Sequence, residues 1–218
     1  MIYSEYVLIS ILIPILLTCI YVKGSARRYA AFFAAGMITC LFAAYFGGTV
    51  QHMIGAEDEW MSVYVSPVSE EFFKMLPLLV YLLLSDPEDE ELFSSGVAFA
   101  AGFATFENCC YILASGADHL SFILIRGLAV GVLHIVCIMV LCIGLILVRR
   151  MVSLSVSGVI GALSLSMTFH SLYNLLESVP GIPSIIGYVM PITAAVALYY
   201  PYQKMGRRSA EEQEEKES

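Results

Sequence analysis

The chain is a succession of long apolar runs separated by short polar connectors. Seven runs reach the roughly twenty residues that a helix needs to cross a bilayer. They are 3–22, 29–50, 63–84, 92–114, 120–148, 154–176 and 184–202. The pattern predicts an all-α, polytopic membrane protein of seven transmembrane helices. Connectors such as KGSARR, SDPEDEE and SGADH are short, so neighbouring helices are expected to run antiparallel. The first run lacks a basic leader and an obvious small-residue cleavage site, and reads as a retained span. Residues 1–203 form one transmembrane domain, and the acidic stretch 204–218 reads as a disordered cytoplasmic tail.

Basic residues set the orientation. With the N-terminus outside, the cytoplasmic segments hold Lys23, Arg27, Arg28, Arg149, Arg150, Lys204, Arg207, Arg208 and Lys216. The outer segments hold none, and the two remaining cations, Lys74 and Arg126, lie within spans. That asymmetry is a positive-inside signal, and it places the C-terminus in the cytoplasm. The DPEDEE connector becomes cytoplasmic and reads as a solvated loop. Arg126 reads as an anchor at the outer interface.

Composition agrees: 59% of residues are hydrophobic and 14% charged, with a mean hydropathy of +0.80. A soluble globular domain is excluded. The formal charge of −8 is concentrated in the 86–91 connector and the tail, and no basic patch or motif suggests nucleic-acid binding. The six cysteines fall in apolar runs without zinc-type spacing and read as small buried hydrophobes.

The apolar runs are interrupted by groups that are costly inside a membrane. Glu70 and Glu71 sit side by side in the third run, with Lys74 one turn on. Glu107 and Asn108 follow in the fourth, His134 in the fifth, and His170 and Asn174 in the sixth. Counted from the span ends at about 1.5 Å per residue, the glutamates and histidines fall roughly 10 Å below one surface. Four helices therefore aim polar side chains at one layer in the outer half of the membrane. Pro67 and Pro77 flank the paired glutamates and weaken the helix there, which gives water a route.

Two chemistries fit this layer, both hydrolysing an amide. In one, a carboxylate takes a proton from water while His and Asn stabilise the oxyanion. In the other, a zinc-type divalent metal is held by His134, His170 and a glutamate, taken as Glu107. Adjacent glutamates point about 100° apart on a helix, so one is expected to activate water and the other to orient a neighbour. Lys74 reads as a charge partner, with Asn174 and Asn108 as support. The same groups would suit a proton-coupled carrier, and a pair of histidines could serve a haem.

Four motifs, each in its own span, resemble the PrsW family of bacterial intramembrane proteases. They are EEFFK around Glu70, FATFEN around Glu107, the RGLAVGVLH run from Arg126 to His134, and FHSLYN around His170. The family is distantly related to the type II CAAX-prenyl endopeptidases. The resemblance implies a multi-pass protease of the bacterial cell membrane that cuts a single-span anti-sigma factor on its extracytoplasmic side, so starting an envelope-stress response. It implies that Glu70, Glu71 and His170 are required for activity.

Overall fold

The computed structural model describes residues 23–115, 120–150 and 155–217, and scattered positions between 8 and 17. Its elements are α-helical, with no strand among the described residues. Helix α1 spans Gly24–Ile54 and ends at Gly55, whose left-handed φ of 65° lets its N–H cap Gln51. A helical turn, Asp58–Trp60, leads into a π-helical turn, Met61–Val65, and then into α2, Ser66–Ser85. Pro67 lies in the first turn of α2, where its missing N–H costs least. Asp86 closes α2 in the left-handed conformation. Helices α3 (Asp89–Ser115), α4 (Leu120–Arg150), α5 (Ser155–Ser178) and α6 (Ile182–Glu217) complete the bundle. The backbone of α6 is helical through the acidic stretch that composition reads as a disordered tail.

Among the described residues, five helices are long and apolar enough to cross a membrane: Gly24–Ile54, Asp89–Ala114, Leu124–Arg150, Val156–Ser178 and Ile182–Tyr199. They correspond to five of the seven predicted spans. Most of the predicted 3–22 span lies outside the described residues, although Leu8, Ile11, Leu12 and Ile15 pack against a cluster containing Met37 and Phe103. The predicted 63–84 span is α2, which carries Glu70, Glu71 and Lys74. Its two faces show how a helix so charged is accommodated. Val68, Phe72, Leu76 and Val80 form an exposed apolar stripe at four-residue spacing. Pro67, Glu71, Lys74 and Leu78 are buried on the opposite face, which meets α1, α3, α4 and α5.

Glycines set the closest crossing. A Cβ on Gly36 of α1 would lie 2.0 Å from the Phe99 carbonyl oxygen, and one on Gly102 of α3 would lie 2.0 Å from that of Phe33. The two backbones touch there, as small residues permit in membranes. That contact seats α3, and with it Glu107, against α1.

At the opposite end, the 86–91 connector is tied down rather than freely solvated. Asp89 is buried and pairs with Arg149 and Arg150. Arg28 pairs with Glu91, and Arg149 donates to the Pro87 carbonyl at 2.6 Å. The connector returns α2 into α3 directly beneath the basic ends of α1 and α4, so its carboxylates meet their guanidinium groups.

Candidate active site

Helical spacing puts Glu71 and Lys74 on one face of α2, and Ser166, His170 and Asn174 on one face of α5. The fold turns these faces toward each other and adds Glu107 from α3 and His134 from α4. Glu71 is fully buried and lies at the centre. Its Oε1 accepts from Lys74 Nζ at 2.7 Å and from His170 Nδ1 at 2.8 Å, and its Oε2 accepts from Ser166 Oγ at 2.7 Å. Lys74, also fully buried, reaches His134 Nδ1 at 2.7 Å and sits over the Phe103 ring, 4.2 Å from its centroid. His134 Nε2 meets Glu107 Oε2 at 2.5 Å.

The donors and acceptors in this chain assign its protons. An ammonium only donates, so His134 Nδ1 accepts from Lys74, and Nε2 carries the proton given to Glu107. A carboxylate only accepts, so His170 Nδ1 donates to Glu71, which leaves the Nε2 lone pair of His170 uncommitted. Glu70 Oε2 lies 3.9 Å from that nitrogen and 3.8 Å from Lys74 Nζ. It is a buried acceptor without a hydrogen-bond partner among the described residues. The paired glutamates thus have separate environments. Glu71 is enclosed by fixed donors, whereas Glu70 keeps an open acceptor.

Glu70, Glu107 and His170 line a cavity of about 550 Å³. It runs out to Gln51, Asp58 and Glu177 at the end where α1 and α5 finish, so solvent-facing connectors lead down to the partly exposed Glu70 side chain. On the other side of the cluster the bundle is packed with Leu78, Phe99, Ile138, Leu141 and Leu145.

The family model that describes the PrsW family of intramembrane metalloproteases matches residues 24–200. The chain belongs to this family. It is a multi-pass, membrane-embedded peptidase. No curated protein and no solved structure matches it.

The family description implies a metal, and the donors present fit one. Atoms of Glu70, His134 and His170 lie within 4.8 Å of one another, a carboxylate–imidazole set of the kind divalent metals take. Two of the three offer uncommitted atoms, Glu70 Oε2 and His170 Nε2. His134 would join by exchanging its bond to Lys74 or Glu107. Glu107, the glutamate that the sequence suggested, is hydrogen-bonded to His134 Nε2 and stands beside this set.

Other expected residues fall differently. Asn174 lines the cavity, but its Nδ2 donates to the Ser62 carbonyl at 2.8 Å and so ties α5 to the π-helical turn. Asn108 does not line the cavity, and its buried Oδ1 has no partner among the described residues. Arg126, read as an interfacial anchor, has partners within the bundle. Its side chain is 15% exposed, pairs with Glu107 at 3.5 Å and stacks on Tyr111. Ser166 escaped sequence reasoning, although its position four residues before His170 was a readable signal.

Proposed function

We propose that the protein hydrolyses a peptide bond of a single-span membrane substrate near the extracytoplasmic surface of the bacterial cell membrane. The observation that carries this reading is Glu70, a carboxylate oxygen unpartnered among the described residues and beside His170, at the floor of a cavity that opens at one end of the bundle. The basic residues Lys23, Arg27, Arg28, Arg149 and Arg150 lie at the other end. The positive-inside rule therefore supports a cavity facing outward, within a seven-span topology whose N-terminus is outside. An anti-sigma factor is the substrate class that the family resemblance supports, with an envelope-stress response as the consequence.

Each residue contributes by position. Glu70 offers a carboxylate with an unpaired oxygen, which accepts the proton of the attacking water when no ion occupies it and serves as a ligand when one does. Glu71 fixes the His170 ring through Nδ1, so that Nε2 points the other way. Lys74 balances the two carboxylates and holds His134, while Glu107 holds the same ring from the opposite nitrogen. Glu70 and His170, joined by His134, would hold a zinc-type ion. Such an ion, when bound, supplies Lewis acidity and lowers the pKa of water.

Co-expression with candidate single-span anti-sigma factors tests this, with fragment size followed on a blot. Cleavage should disappear in E70Q, E71Q and H170A and after chelation. Cleavage that continues unchanged in all three variants would overturn the site.

A further inference from the structure

Arg126 has no place in the chemistry described so far, yet the bundle holds it on several sides. It lies in α4, and its guanidinium reads two groups one turn apart on α3. Nη2 is 3.5 Å from Glu107 Oε1, and Cζ is 3.4 Å from the centroid of the Tyr111 ring. Its Nε is buried without a hydrogen-bond partner among the described residues. Glu107 in turn uses its other oxygen on His134 Nε2 at 2.5 Å. The chain Arg126–Glu107–His134–Lys74–Glu71–His170 is continuous, and Arg126 is its outer end.

We propose that Arg126 is a positioning residue. It clamps one oxygen of Glu107 so that the other stays on His134 Nε2, and thereby holds the His134 ring in place. The inference rests on the site assigned above. Glu107 needs such a clamp, because its side chain is 28% exposed to the cavity and would otherwise turn into it. The flat guanidinium is held by the Tyr111 face, which fixes the direction of its N–H groups as a flexible ammonium could not. A substrate entering the cavity passes this pair, so the clamp also keeps Glu107 from being drawn to the substrate.

The test compares wild type, R126Q, R126K, E107Q, R126Q/E107Q and E70Q as purified full-length protein in detergent. Cleavage kinetics are read together with the 15N imidazole spectrum of histidine-labelled protein. R126Q should lower kcat about 10–100-fold, the usual cost of losing a supporting partner, with KM unchanged. R126K keeps the charge and should recover part of that loss. The double variant should be no worse than E107Q, because both substitutions break one chain. R126Q should move the His134 Nε2 resonance in the same direction as E107Q and leave His52 in place. R126K carries the same spectral test, with a smaller shift, should R126Q fail to fold.

A raised KM with unchanged kcat would make Arg126 a substrate-binding group and overturn the proposal. So would losses that add in the double variant, or a His134 resonance that Arg126 substitutions leave unmoved. The wild-type and E70Q arms test the site itself. Cleavage surviving in E70Q would refute that assignment, while the imidazole spectrum, which needs no turnover, would still decide the link from Arg126 to His134.

Discussion

Lys74→Met is the sharpest test of the buried charge network. The Lys74 side chain is 0% exposed, as is that of Glu71, its partner at 2.7 Å. The two are three residues apart on α2, so their pair survives when helices separate within a membrane. Only the contacts that cross between helices stabilise the packed state. Lys74 contributes two of these, a hydrogen bond to His134 and a cation–π contact over the Phe103 ring. Interhelical hydrogen bonds in membranes average about 0.6 kcal/mol, so that bond alone predicts a small loss. The larger effect falls on Glu71. Without Lys74 its charge is buried with only His170 and Ser166 as donors. Removing one partner of a buried pair costs about 3–5 kcal/mol, and a loss of that size is expected. Adding E71Q removes the stranded charge while leaving groups that can still bond His170 and Ser166. The E71Q/K74M double variant should therefore recover to within about 1–2 kcal/mol of wild type, the scale of ordinary hydrogen-bond differences. Reversible unfolding in mixed detergent–SDS micelles, followed by circular dichroism, measures all three. A K74M loss of about 0.6 kcal/mol, that of the His134 bond alone, would refute the reasoning. A double variant less stable than K74M would refute it as well.

Further outcomes follow from the same geometry. E70Q should abolish cleavage and shift stability by no more than about 0.5 kcal/mol, because Glu70 Oε2 has no hydrogen bond among the described residues to lose. E71Q should abolish cleavage and also lower stability, as the same unfolding assay would show. Chelation should stop cleavage and stoichiometric zinc should restore it; turnover unaffected by exhaustive chelation would remove the metal from the reading. G102A should destabilise by at least about 1–3 kcal/mol, since its Cβ would meet the Phe33 carbonyl at 2.0 Å. G131A on α4 has nothing within 4 Å and should be close to neutral in the same measurement.

The sequence by itself determined the class of this protein and most of its candidate site. Long apolar runs with short connectors leave few solutions besides an antiparallel helical bundle, because lipid satisfies no backbone hydrogen bonds. Charged groups within those runs are costly enough that their positions stand out, and depth counted from span ends placed Glu70, Glu71, Glu107, His134 and His170 in one layer. Four of these belong to the hydrogen-bonded chain, and Glu70 stands beside His170.

Depth says nothing of the angle at which each helix faces its neighbours, and that is what only the tertiary structure decided. Rotation of α2 gave Glu71 to the buried network and Glu70 to the cavity, although the two are adjacent and chemically alike. Packing of α3 against α4 set Glu107 and Arg126 face to face, so a residue whose position suggested an interfacial anchor became the outer end of the network. It also placed Glu107 across the His134 ring, hydrogen-bonded to Nε2. The acidic connector is alternation-free polar sequence, yet Asp89 is buried because the ends of α1 and α4 converge on it. Such pairings join residues on different helices, and local periodicity carries no information about them.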